Sequence, residues 1–450
     1  MSSSCREAAS PDSAGRKRAR AGVRAGSRAG IRAAVRVAGT VVAAALGYAA
    51  SSAPGRAATN WTYDPRIEVG GTYDDNYLLG EIPADQTAVS GPFVNALVAL
   101  HGASPRNDFV LTPQVHATLF PGHSDDQSTD GYLDAIDTYD TLRTRSIFRG
   151  AYANQTIAAA DFLPATFPGV QLGEPVISGS GLIVHLERQQ SLHLDPSTSI
   201  RFTERGHLDL SADYYRAWFS QSLPGQVGFQ SVSGTVGAGY AASQRSDLSL
   251  RGTYTAFEPE GTVPSARHGA LVGEWDYRES TVMHFYVRAG AGETQGTLPG
   301  GSQVTLTDFE GGIGARWTYP ISDITVDLLR TAVPSSFGVL VNQDELRFRV
   351  LHRFTEIFAG FVALRGLRTV RAESQATNVP DRNYATGSAG LEWRITRNYS
   401  LEASYSYAWQ KYQNDPLHAA SNTVGVSIVY EPHRYDRGPE PGPVGSESPY

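Results

Sequence analysis

The first residues in the chain that could do chemistry are oxygen-bearing side chains at fixed spacing. Asp126-x-Ser128-x-Asp130-Gly131-x-x-Asp134-x-x-Asp137 sets acidic or hydroxyl oxygens at positions 1, 3, 5, 9 and 12 of a twelve-residue stretch, with Gly at position 6. That is the order in which a calcium loop presents its ligands around a hard cation. Position 12 is Asp where a bidentate Glu is usual, and no helical periodicity flanks the stretch. An acidic, solvated loop between strands is therefore the competing reading. Ca2+ is the one cofactor this pattern suggests; no other is expected.

Nucleophilic chemistry finds no support. His101, His116, His185, His193, His207, His268, His284, His352 and His418 are scattered, and no Gly-x-Ser-x-Gly stands at a strand-to-helix turn. Gly234, Gly237 and Gly239 alternate within a strand-like run, where Gly permits tight packing, instead of forming a phosphate loop. The single cysteine, Cys5, stands near the N-terminus, so disulfides, thiolate metal sites and cysteine nucleophiles are not expected in the rest of the chain. An enzyme is not expected.

Another set of residues is more informative by its period. Arg251, Arg288, Arg316, Arg347, Arg349 and Arg394, with Glu310, Glu392 and Glu402, occupy alternate positions between apolar residues. Tyr399, Leu401, Ala403, Tyr405, Tyr407 and Trp409 share one face of a run whose other face holds Ser400, Glu402, Ser404, Ser406 and Gln410. Phe309 to Tyr319 repeats the arrangement with Glu310 and Arg316 on its polar face. Successive strand residues point to opposite sides, so each run has one apolar and one polar face.

From Arg66 to Tyr430 such runs follow one another, separated by Gly, Pro, Asn, Asp and Ser. Runs of about 10 residues suit a tilted crossing of a bilayer, and aromatics gather toward run ends, as in Trp317 and Tyr319. Short connectors such as Thr203–Gly206 and Thr396–Asn398 alternate with longer ones such as Gln221–Gly228 and Pro334–Gln343. The fold expected is an all-β, transmembrane, antiparallel up-and-down barrel of 16–18 strands. Counting gives 17 runs, an odd number, so a strand is expected to hide in Ala158–Arg201. On this fold the alternating charges above face the lumen.

Composition bounds the alternatives. Mean hydropathy is −0.28, and the chain beyond residue 58 holds no stretch of eighteen apolar residues, which excludes helical spans. Residues 1–58 carry ten Lys or Arg and two Asp or Glu, leaving 38 − 10 = 28 basic and 45 − 2 = 43 acidic residues, a net of −15. An acidic body argues against nucleic acid as a partner. Arg16 to Arg36 form a basic region before the apolar Val37–Leu46, so 1–58 reads as a signal peptide region. The barrel is expected over 59–431, and the Pro/Gly-rich 432–450 as a disordered tail.

Two segments carry a resemblance. Thr423-Val424-Gly425-Val426-Ser427-Ile428-Val429-Tyr430 resembles the C-terminal signal read by the barrel assembly machinery, with Thr423, Gly425, Ile428 and Tyr430 in its key positions. Glu68-Val-Gly-Gly-Thr-Tyr-Asp-Asp-Asn-Tyr77 resembles the opening strand of an outer-membrane β-barrel porin family of the exopolysaccharide-operon type, and Phe202–Leu210 and Trp393–Leu401 resemble its hairpins with Arg-rich turns. The resemblance spans roughly residues 60 to 430 and implies a bacterial outer-membrane location, with membrane lipid and the assembly machinery as partners. It leaves two functions open. One is a porin-like channel for hydrophilic solutes or polysaccharide; the other is a non-conducting accessory barrel of an envelope or exopolysaccharide secretion system.

Overall fold

Alternation becomes strand almost everywhere. The computed structural model describes residues 59–432 apart from 85, 123–126, 158–187, 221–225, 262–264, 298–302, 372–380 and 414–415. The regions read as signal peptide and as C-terminal tail lie outside the described residues, except for 432. In chain order the strands are β1 (Asn60–Asp74), β2 (Val89–Ala103), β3 (Asn107–Thr118), β4 (Ser128–Asp140), β5 (Thr144–Thr156) and β6 (Arg188–Arg201). Then come β7 (Gly206–Phe219), β8 (Phe229–Ser243), β9 (Ser246–Pro259), β10 (Ala266–Arg278), β11 (Met283–Thr297) and β12 (Gln303–Tyr319). The last six are β13 (Ser322–Pro334), β14 (Leu340–Arg353), β15 (Phe358–Arg371), β16 (Arg382–Arg394), β17 (Tyr399–Tyr412) and β18 (Ala419–Tyr430).

Each strand pairs antiparallel with its sequence neighbours, and β1 closes on β18 through Ile67↔Tyr430 to Asp74↔Thr423. The result is a closed barrel of 18 strands, one more than the count of runs and even, as closure of hairpins requires. Strand β6 lies within Ala158–Arg201, the interval expected to hide a strand. Strands of 12 to 17 residues exceed the soluble average, and closure pairs every strand with a neighbour on both sides.

Closure sorts the two faces. Leu248, Leu250 and Tyr254 on β9, Phe309 and Ile313 on β12, and Val424, Val426 and Ile428 on β18 are all exposed on the outer face. So many large apolar side chains in the open belong in hydrocarbon, not water. Their alternate neighbours point inward. The segments joining odd to even strands are the longer ones, and those joining even to odd strands are short; Asn60 and Tyr430 stand at the short-turn end. Buried apolar groups gather in three clusters, each at the long-connector end.

Candidate channel lumen

The inner wall is a polar surface laid over backbone. Arg251, Arg288, Glu310, Arg347, Glu392, Arg394 and Glu402 each sit one residue from an exposed apolar neighbour, Arg316 and Arg349 sit between half-buried ones, and all nine face inward. Most carry a partner on a nearby strand. Arg251 meets Glu274 at 3.1 Å and Arg316 meets Asp323 at 2.8 Å, while Arg394 meets Glu392 of its own strand at 3.3 Å. Glu402 takes Arg66 from β1 at 3.0 Å, across β18. Arg347 donates to Asp327, which also accepts the hydroxyl of Tyr286. The Arg365–Glu345 pair, at 2.8 Å, is almost wholly buried. Desolvating such a pair is tolerable only with close geometry and further hydrogen bonds, and Gln343 supplies one to Glu345 at 3.2 Å.

Charge is unequal around the ring. Strands β14 to β16 bring Arg347, Arg349, Arg365, Arg382 and Arg394 to the inner wall, against Glu345 and Glu392. Half a circumference away, β4 to β7 bring Asp130, Asp134, Asp195, Asp209 and Asp213, against Arg145, Arg149 and Arg201. A basic wall thus faces an acidic one across the lumen.

The long-connector mouth is narrowed from two sides. Pairing between β12 and β13 stops at Gly311↔Arg330, although both strands run further. Above that point the β13–β14 hairpin leaves the wall and bends inward. Leu340 seats among Tyr215, Ala217, Phe229, Phe257 and Ala266 of β7 to β10. Ser336 accepts the backbone N–H of Val227 at 2.8 Å, and Asn342 donates to Asp308 at 2.5 Å. Gly338, at φ 79°, makes the reversal at the tip, a conformation glycine adopts without strain. From the other side, the segment after β1 folds against β15 to β18, with Leu79 packed on Leu367, Tyr384 and Ala419. Asn76 fixes it there by donating to the Ala420 and Gly80 carbonyls at 2.9 and 3.0 Å.

No family model matches the chain, including any of the exopolysaccharide-operon type, and no curated protein matches it. Among solved structures it is similar to OpdQ of Pseudomonas aeruginosa at 9% identity, covering 82% of this chain and 98% of that one, with a TM-score of 0.39. It is also similar to OccK2 (OpdF) of Pseudomonas aeruginosa, solved with glucuronate, at 9% identity, 82% and 98% coverage and a TM-score of 0.42. The FrpB iron transporter of Neisseria meningitidis aligns at 4% identity, 82% of each chain and a TM-score of 0.39. The fold assignment rests on the strand register itself. With its closed ring and outward apolar belt, the chain is an integral outer-membrane β-barrel.

The calcium reading needs correction. Ser128, Asp130, Asp134 and Asp137 lie on strand β4, not on a loop, and Asp126 lies outside the described residues. An extended strand rises about 3.3 Å per residue, so Asp130 and Asp137 stand roughly 23 Å apart. Asp130 and Asp134 face the lumen while Asp137 faces the other side. Asp130 accepts the Thr156 N–H at 2.9 Å, and Asp137 accepts Asn107 Nδ2 at 2.6 Å. Among the described residues no group of three or more His, Cys, Asp or Glu is placed to hold a metal. Positions 1, 3, 5 and 9 are separated by even numbers of residues, and such separations are also what one face of a strand produces.

Thr423, Gly425, Ile428 and Tyr430 fall on β18, the strand that closes the ring. Ile428 is exposed outward, and the Tyr430 ring lies 5.0 Å from that of Tyr399. Thr423 and Gly425 face inward, Thr423 donating to Asp74 at 2.7 Å. Sequence reasoning missed the mouth. Pro334–Gln343 reads as a polar outer connector, and the only hint of an inward fold is its apolar Phe337, Val339 and Leu340.

Proposed function

We propose that the chain is a porin-like channel through which small hydrophilic, charged solutes cross the outer membrane. The observation that carries this reading is the polarised lumen, with Arg347, Arg349 and Arg365 facing Asp134, Asp209 and Asp213 across a closed barrel. Opposed charges at close quarters orient a polar solute and select by sign and size, which an inert wall would not need. The mouth, narrowed by the β13–β14 tip and by Leu79, sets the size limit at the outer entrance. The test is recording from refolded protein in a planar bilayer under a KCl gradient. Stepwise conductance is expected, with Arg349→Glu moving the reversal potential toward cation preference. Folded protein that gives no steps at any voltage would overturn the channel.

A second reading, an accessory barrel that does not conduct, is favoured by the same mouth, where Leu340 is almost wholly buried. Carriage of polysaccharide and service in exopolysaccharide secretion rest on the sequence resemblance alone. Residues 1–58 as a secretion signal and 432–450 as a free tail are consistent with a barrel that begins at Asn60 and ends at Tyr430.

A further inference from the structure

Most short turns share one device, a hydroxyl that ties the bend, and in five of the eight an arginine lies inside the turn. The hydroxyl of Thr141 accepts the N–H of Arg143 at 3.3 Å. Thr203 does the same for Arg205 at 3.3 Å, and Ser243 for Arg245 at 3.2 Å. Such side-chain bonds fix the bend locally and leave the third residue projecting. Arg106 holds the equivalent place after Ser104, and Arg397 lies inside the bend where Thr396 accepts the Asn398 N–H at 3.3 Å. All five arginines are exposed. They belong to five separate turns, which run round the ring from β16–β17 to β8–β9 and leave the β10–β11, β12–β13 and β14–β15 turns without arginine.

Two facts decide what this rim would meet. First, the other end is different: segments 75–88, 119–127, 157–187, 220–228, 260–265, 298–302, 335–339, 372–381 and 413–418 contain no Lys or Arg. Cations at the connectors are therefore confined to the short-turn end of an otherwise acidic body. Second, the arginines have apolar company in the same turns. Leu142 is 98% exposed, Phe202 62% and Ile395 53%. A polar polymer in water would suit the arginines but leave those side chains wet. A lipid leaflet suits both, taking the apolar groups at its acyl boundary and offering phosphate to the guanidinium, a planar donor matched to that anion.

We infer that the short-turn end carries a collar of binding sites for the phosphate headgroups of the surrounding lipid leaflet, formed by Arg106, Arg143, Arg205, Arg245 and Arg397. The collar holds the barrel at a fixed depth and leaves the acidic end to face outward. This rests on the membrane setting of the barrel and not on conduction, so the bilayer recording and the lipid test fail independently.

Trp275, Trp317 and Trp393 stand close to the short-turn ends of β10, β12 and β16 and can report on neighbouring lipid. Refolded protein in phosphatidylcholine vesicles is titrated with brominated phosphatidylglycerol or brominated phosphatidylcholine, and tryptophan quenching gives the relative association of the two lipids. Wild type should favour the anionic lipid by about fivefold at low salt, the factor that one arginine near an anionic surface contributes. The preference should vanish in about 1 M salt and in the variant with all five arginines changed to Gln, and should persist with all five changed to Lys. A ratio of one for wild type at low salt, or an unchanged ratio in the Gln variant, would overturn the collar. If the Gln variant does not fold, wild type decides by its salt response, since a salt-independent ratio also overturns it.

Discussion

Space on the inner wall is made one residue at a time, by missing Cβ atoms. His268 reaches from β10 over β11 to Glu310 on β12, with Nε2–Oε1 at 2.8 Å and Nδ1 on Thr294 at 2.9 Å. It passes above Gly292, where a Cβ would stand 2.5 Å from the imidazole Cε1. His207 lies over Gly239 in the same way, whereas a Cβ on Gly234, five residues earlier and on the opposite face, would meet open space. The sequence shows the glycines and their period but not which of them clears a path, because that depends on a side chain of the neighbouring strand. Gly292→Ala should push the ring off Glu310 and cost about 1–3 kcal/mol, as added bulk in a packed site does. The measurement is the urea midpoint of the folded barrel in detergent. In a His268→Ala background the same change should cost far less. Equal losses in both backgrounds would show that the imidazole is not what the new methyl meets.

At the scale of elements, legibility follows periodicity. Strands such as β12 and β17 were readable because every second residue from Phe309 and from Tyr399 is apolar or small, and the lipid boundary enforces that pattern along the whole strand. The tip of β13–β14 was not readable, because leaving the wall removes the constraint: Leu340 is buried inside the mouth while Leu346, on the same face of the same strand, is exposed to lipid. The calcium spacing misled for the converse reason, its even intervals being those of a strand face. Ala403 and Ser404, adjacent, small and both exposed near the middle of β17, test the sidedness directly. Arg at the lipid-facing Ala403 should cost ~2–4 kcal/mol and lower the yield of assembled barrel. Arg at the lumen-facing Ser404 should leave the yield unchanged and shift ion preference toward anions. Heat-modifiable migration on a detergent gel reads the first, and reversal potential the second; equal yields would mean that the faces of β17 are exchanged.

Over the whole molecule, the two ends are built for different tasks. The short-turn end is regular, cationic and tied by hydroxyl bends, while the long-connector end is irregular and folds two of its segments into the lumen. The wall between them is fixed by an unbroken ladder, so any change in permeability must come from pieces that leave the ladder. The β13–β14 tip is such a piece, because β12 no longer pairs with it above Arg330. Its seat combines the Leu340 cluster with the Val227–Ser336 backbone bond, which brings those two residues close enough for a disulfide. Cys5 is the chain's only cysteine, so Val227→Cys with Ser336→Cys in a Cys5→Ser background gives a single possible bridge. If solutes pass when the tip lifts, oxidation should suppress conductance and a reductant should restore it. Should they pass beside a seated tip, oxidised and reduced protein would conduct alike, and the size limit would then belong to the gap between the tip and the Leu79 segment. Replacing Leu79 with Ala separates the two outcomes, since it widens that gap and raises conductance in the oxidised protein only when the tip is a fixed wall.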